Sequence, residues 1–268
     1  MNRRESGGLV ATAMTVPAIA AGAGAAGAPQ AGEDKFGSMH KGQRPEIGML
    51  LYPGLTLMDL LGPQTVFATS ANCHLLWKTK DVIVSDSGVG IRPTATLDEC
   101  PKDLDVLFVG GGGGQPGIMK DPEILRFFAD RGARAKYVTS VCSGSLVLGA
   151  AGLLRGYKAA SHWAGRDLLP LFGAIPVDAR VVVDRNRFTG SGVTAGLDFG
   201  LVLLAKLLGE DVAKMTQLAM EYDPEPPFNA GSPREAGPEI TGKVLEWMGP
   251  MGGRMQQVSE EAGRALGG

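Results

Sequence analysis

The chain has 268 residues, 26 Lys and Arg against 28 Asp and Glu, 44% hydrophobic residues and 40 Gly, for a net charge of −2. That balance leaves no general basic footprint for nucleic acid, and abundant apolar residues with changing periodicity exclude a low-complexity disordered chain. Three scattered cysteines (Cys73, Cys100, Cys142) and three histidines (His40, His74, His162) supply neither a disulfide framework nor zinc-type spacing.

Residues 1–31 read as an address. Arg3-Arg4 precedes an Ala/Gly-rich run to Ala28, a pattern similar to a twin-arginine export signal. Gly residues and Pro17 interrupt the run too often for a membrane span, and no later segment is long and apolar enough. A signal here implies a periplasmic mature protein; a disordered tail on a cytosolic protein is the other reading. Residues 32–45 then form a flexible linker, 46–248 one α/β domain and 249–268 a C-terminal tail.

Within the domain, Ile47 to Tyr52 is a continuous apolar run closed by Pro53-Gly54, and Thr56 to Phe67 follows as a helical stretch. Leu75 to Lys78 and Val82 to Ser85 read as strands, with a turn at Ser87 to Gly90. Val106 to Val109 is a buried-type strand that enters Gly110 to Gly114. Glu123 to Ala135 is amphipathic, with Ile124, Phe127, Phe128 and Ala135 on one side. Tyr137 to Thr139 leads to Val141-Cys142, and Ser145 to Leu154 has helical character. Val181 to Val183 and Arg187 to Thr189 flank a turn at Asp184 to Asn186. Leu197, Leu201, Leu204 and Leu208 recur at helical spacing. After Met220 the chain becomes irregular, with one more helix near Thr241 to Trp247. Alternation of strand and helix predicts a mostly parallel sheet with helices on both faces.

Active sites of such sheets lie beyond the carboxyl ends of the strands. Cys142 falls at such an end, with Ser143-Gly144-Ser145 opening a helix, as in a nucleophile elbow. A helix N-terminus there favours the thiolate, the reactive form. A buried structural cysteine is the alternative. The glycine run is either a plain turn or a loop whose N–H groups contribute to an anion pocket, through Gly111, Gly112 and Gly113. Asp59, among leucines, reads equally as a helix cap or as a buried functional acid with a raised pKa. His162 reads as a satisfied core histidine at a helix start or as a base to Cys142. Cys73 and Cys100 read as unpaired thiols, with a disulfide in an oxidising compartment as the alternative.

Longer motifs join these residues. The run Tyr137 to Gly156 around Cys142, Asp59-Leu-Leu-Gly-Pro63, Ser161-His-Trp163, Gly173-Ala-Ile-Pro176, Thr194 to Phe199 and Pro226 to Pro233 together resemble the ThiJ/PfpI superfamily, and within it the branch that hydrates isonitriles. The resemblance implies a single flavodoxin-like, glutamine-amidotransferase-like α/β domain that forms homodimers and inserts in no membrane. It implies hydration of an isonitrile to an N-substituted formamide with no metal or organic cofactor. Carried over by position, Cys142 is the nucleophile, Asp59 the general acid/base, Ser143 a catalytic neighbour, and the N–H groups of Gly112 and Ser143 stabilise developing charge. Where that branch carries Pro and Thr this chain has Gly110 and Gly113, which implies a looser loop. Ser143 stands where protease-like members carry His, which removes a Cys-His dyad. Two further readings use the same cysteine: a glyoxalase- or deglycase-like enzyme on reactive aldehydes, and a non-enzymatic periplasmic sensing or binding domain.

Overall fold

The computed structural model describes residues 40–267, so the reading of residues 1–31 as an export signal lies outside the described residues. The end of the segment read as a flexible linker is fixed to the domain. Pro45 is buried, and Arg44 donates to the carbonyls of Ala68 and Ala71 at 3.0 and 2.9 Å.

The first half comprises β1 (Glu46–Leu50), α1 (Leu57–Phe67), β2 (Asn72–Trp77), β3 (Ile83–Val84), β4 (Gly90–Ile91), β5 (Ala95–Thr96), β6 (Val106–Val109), α2 (Gln115–Ile118), α3 (Pro122–Arg134) and β7 (Tyr137–Val141). After it come α4 (Gly144–Ala150), β8 (Lys158–Ala159), a 3-10 segment (Arg166–Phe172), β9 (Ile175–Pro176), β10 (Val181–Asp184), β11 (Arg187–Gly190), α5 (Ala195–Leu208), α6 (Glu210–Ala219) and α7 (Pro233–Ala265). The main sheet has the order β10-β11-β7-β6-β1-β2-β5. Only β10 runs antiparallel, in a hairpin with β11 turned by Arg185 at φ 55°. The parallel strands from β2 to β11 follow the flavodoxin-like order, in which the chain reverses direction between β1 and β6. Loops leaving those two strands diverge and open a crevice.

β6 and most of β1 and β7 are buried on both faces, which is why they read as unbroken apolar runs. On one face α5 packs on α1. The predicted leucine stripe marks that helix correctly but not its buried side, which is Gly196, Phe199, Gly200, Leu203 and Leu204; Leu197 and Leu201 are only half-buried. A Cβ at Gly196 or Gly200 would lie 3.0 Å from Pro63 or Val66, so small residues set the close approach of α1. On the other face α4 packs against α3, the 3-10 segment and α7.

Two expectations fail at the C-terminus. α6 lies where no helix was anticipated. The expected 249–268 tail is instead the second half of α7, and the domain does not stop at residue 248. Ser232 caps α7 by accepting the Glu235 N–H. Met255, Val258, Ser259 and Gly263 are buried in the domain, and Met255 and Val258 join its core. Pro238, Pro250, Gly249 and Gly252-Gly253 read as breakers; burial of one face overrides their poor helix propensity. The one real break is at Gly237, whose φ of 76° kinks the first turn away from the rest.

Candidate active site

The elbow is built by the passage from β7 into α4. Cys142 has φ 60°, a region that non-glycine residues enter at a cost of about 1–3 kcal/mol. Its neighbours hold it there. Its N–H meets the carbonyls of Gly190 and Ser191 at the end of β11, at 3.1 and 2.7 Å. Its carbonyl accepts from Ser145 Oγ at 3.3 Å and Ser161 Oγ at 3.2 Å. Gly144 leaves no room for a side chain against the carbonyls of Val109 and Gly110. The side chain of Cys142 is thereby fixed at the β1/β6 crevice.

Asp59 reaches the same point from α1. It is fully buried in the first turn and caps nothing; the cap reading of the sequence is wrong. Its Oδ2 accepts the Gly111 N–H at 2.7 Å, and its Oδ1 is buried without an N–H or O–H partner among the described residues. The group that this carboxyl most affects is the Cys142 thiol: the two lie close enough that each shifts the other's pKa.

The glycine loop is packed, contrary to the looser loop that the resemblance implied. A Cβ at Gly110 would lie 2.8 Å from Asp59 Cβ, and one at Gly111 would lie 2.5 Å from Ser143 Oγ. Gly112 has φ 142° and abuts the Gly54–Thr56 turn, where Thr56 N–H donates to the Gly111 carbonyl at 2.9 Å. Of these glycines Gly113 has the most space, with Met251 Sδ as its nearest neighbour at 3.9 Å.

Electrostatics correct a second expectation. Burial pushes the Asp59 carboxyl up to about 7, against the pull of the Gly111 N–H and the Cys142 thiol. Burial, then the charge of Asp59, push the Cys142 thiol well above its ordinary value; the Ser143 N–H and hydroxyl pull it down. Burial and the Asp59 charge thus oppose the thiolate that the helix N-terminus favours. α4 has only seven residues, and desolvation beside a carboxylate outweighs its partial charge. Burial and the Asp59 charge together favour the protonated thiol beside that carboxyl.

Cys142 and Ser143 open into a cavity of about 580 Å³ with Gly112, Gly113, His162 and Val193. Thr56, Asp86 and Ser87 form its polar side, and Val244, Trp247, Met248, Met251 and Met255 of α7 its apolar wall. Gly111 lies beneath this floor, facing Asp59 and Ser143. His162 Nδ1 accepts the Ala164 N–H at 3.3 Å, which leaves Nε2 as the protonated nitrogen of a neutral ring; burial lowers its pKa. The ring meets no acid among the described residues and lines the cavity as a neutral wall residue. Cys73 and Cys100 are free, and no group of metal-binding side chains occurs among the described residues.

The fold and site define an α/β domain with a cysteine elbow, a buried acid near its thiol and a glycine loop beneath. Residues 46–206 match the sequence profile of the DJ-1/PfpI family, and the chain belongs to that family. It is 46% identical over 223 residues to isonitrile hydratase of Pseudomonas putida, covering 82% of this chain and 97% of that protein. A ThiJ/PfpI family protein from Pseudomonas syringae, of known crystal structure, superposes with a TM-score of 0.79 at 52% identity, covering 81% of this chain and 91% of that one. The HTH-type transcriptional regulator GbdR of Pseudomonas aeruginosa is 32% identical over 62% of this chain but only 48% of its own length.

Cys142, Asp59, Ser143 and the glycine loop thus meet as the sequence suggested. Sequence reasoning missed Tyr52, whose hydroxyl reaches the Gly110 carbonyl, and it missed the cavity wall from α7. Ser161 lies in the Ser-His-Trp motif, so a signal existed; its role in holding the elbow carbonyl did not follow from it.

Proposed function

We propose that this protein hydrates isonitriles to N-substituted formamides through a covalent intermediate on Cys142. The observation that carries this reading is the buried Asp59 carboxyl, held by the Gly111 N–H beside the Cys142 thiol, which opens into an apolar cavity. Similarity to an isonitrile hydratase along nearly its whole length supplies the substrate class.

Ionised Asp59 takes the Cys142 proton as sulfur attacks the terminal carbon of R–N≡C. A C–S bond forms, and Asp59 returns the proton to that carbon, giving the thioimidate R–N=CH–S–Cys142. Asp59 next removes a proton from water, whose oxygen adds to the same carbon, and passes that proton to nitrogen. Collapse of R–NH–CH(OH)–S–Cys142 breaks the C–S bond, returns the hydroxyl proton to sulfur and frees R–NH–CHO. Ser143, through its N–H and hydroxyl, stabilises the sulfur anion in both halves of the cycle. The Gly112 N–H serves the adding oxygen.

The cavity wall selects R. Val244, Met248, Met251 and Met255 favour an apolar group, and Asp86 at the polar side disfavours an anionic one. Incubation with a neutral alkyl isonitrile, a carboxylated isonitrile and, separately, methylglyoxal tests the reading by NMR. Formamide from the neutral isonitrile, little from the carboxylated one and no consumption of methylglyoxal are expected. Aldehyde consumption without formamide would replace this function with a glyoxalase- or deglycase-like one.

Two further properties belong to this reading. A homodimer is supported by the large apolar side chains left exposed late in the chain, among them Leu218, Phe228 and Trp247; a solution mass of one chain would overturn it. Export is supported by Arg3-Arg4 and the small-residue run; protein from a native periplasmic extract should begin near residue 32.

A further inference from the structure

Tyr52, the last residue of the first apolar run, is fully buried, yet its hydroxyl is not idle. It donates to the Gly110 carbonyl at 2.9 Å. Gly111 N–H, which donates to Asp59 Oδ2 at 2.7 Å, belongs to the same peptide group as that carbonyl. The hydrogen bonds run in one line, from phenol through a single peptide to the carboxylate. Donation to a peptide oxygen polarises the group and makes its N–H a stronger donor. Both contacts need the tight loop: a Cβ at Gly110 or Gly111 would push the peptide off Asp59 or Ser143.

We propose that Tyr52 is a positioning residue for the reaction, which sets the acidity of Asp59 through the Gly110–Gly111 peptide without touching substrate. The proposal rests on the Cys142–Asp59 pairing described above, but not on the identity of the substrate. Tyr52 does not itself titrate in the working range. Burial, then the charges of Asp59, Cys142 and Asp86, push its phenol well above its ordinary value, so it stays a donor. The titratable groups that face Asp59 are Cys142 from the β7–α4 turn, Asp86 from the loop after β3 and Tyr52 itself. Asp86 raises the acid's pKa and the Gly111 N–H lowers it. Tyr52 strengthens the second influence. Without it, Asp59 would be protonated at higher pH and would accept the thiol proton less readily.

The test reads the pair without any isonitrile. Alkylation of Cys142 by iodoacetamide, localised by mass spectrometry in the full chain, is followed as a function of pH. Asp59 ionisation gives a step in rate near its pKa. In Tyr52→Phe that step should move up by roughly half a pH unit. Replacement of Tyr52 by 3-fluorotyrosine, a stronger donor of nearly the same size, should move it down. A purely structural role for Tyr52 would leave the step in place, or shift it the same way in both variants, and either result overturns the proposal. Should the Phe variant fail to fold, the fluorotyrosine protein decides alone by the direction of its shift. Asp59→Asn should remove the step. Its persistence there would show that the pairing itself is absent, a failure distinct from that of Tyr52.

Discussion

The Cys142 thiol and the Asp59 carboxyl meet as a buried pair although they leave two different strands, β7 and β1, on opposite sides of β6. Neither group is pre-ionised by its own surroundings alone: burial opposes charge on both. In the proposed mechanism the proton passes within this pair, and the chemistry starts when a substrate arrives.

Activity should therefore fall below neutral pH. With Asp59 at about 7, acid protonates the base of the proposed mechanism, and kcat/KM should drop about tenfold for each pH unit below that value. A pH–rate profile in a constant-ionic-strength buffer checks this. A limb near the ordinary carboxylate range would mean that Asp59 is not the base.

Asp59→Asn separates activity from stability. Turnover should fall by several orders of magnitude, because the amide cannot accept the thiol proton. The fold should gain. A carboxyl whose folded pKa lies above its unfolded value of 3.8 favours folding only while protonated. The stability it contributes is complete below that value and is lost as pH rises toward 7. The gain on substitution should be small at pH 4 and about 1–4 kcal/mol at pH 8. Urea unfolding at the two pH values reads it; an equal change at both would contradict the raised pKa.

Ser143 should tolerate change unequally. Ser143→Thr keeps the hydroxyl and should lower kcat/KM less than about threefold, whereas Ser143→Ala removes a donor to sulfur and should cost about tenfold, near 1.4 kcal/mol. Steady-state kinetics with one isonitrile decide between them. Complete loss in the Thr variant would mean that the pocket around the sulfur is wrongly assigned.

How much of this was legible in the sequence follows from the range of each interaction. Strands β1, β6 and β7 are doubly buried and announce themselves as apolar runs; the elbow follows because Cys142 ends one of them and Ser143-Gly144 opens a helix. Asp59 was ambiguous because cap and buried acid look alike in one dimension, and only the Gly111 N–H, 52 residues away, distinguishes them. Of α7 only the stretch from Thr241 to Trp247 was legible, and the rest was hidden for the opposite reason. Its local signals, two prolines and several glycines, argue against a helix, and the burial that overrides them comes from distant segments such as Leu171, which lies against Gly263.

The α7 wall gives a test of selectivity. Met251→Trp adds bulk beside Gly113 and should raise KM for large isonitriles while leaving a small one within about threefold. A competition assay with a methyl- and a bulky-substituted isonitrile measures the ratio directly. An unchanged ratio would place R elsewhere.

The most direct measurement of the central claim mixes purified protein with an alkyl isonitrile, follows formamide by NMR and records intact mass after acid quench, for wild type and Cys142→Ala in parallel. The account predicts formamide from wild type alone, with a transient adduct equal to the mass of the isonitrile on Cys142. Formamide from Cys142→Ala at a comparable rate would contradict it.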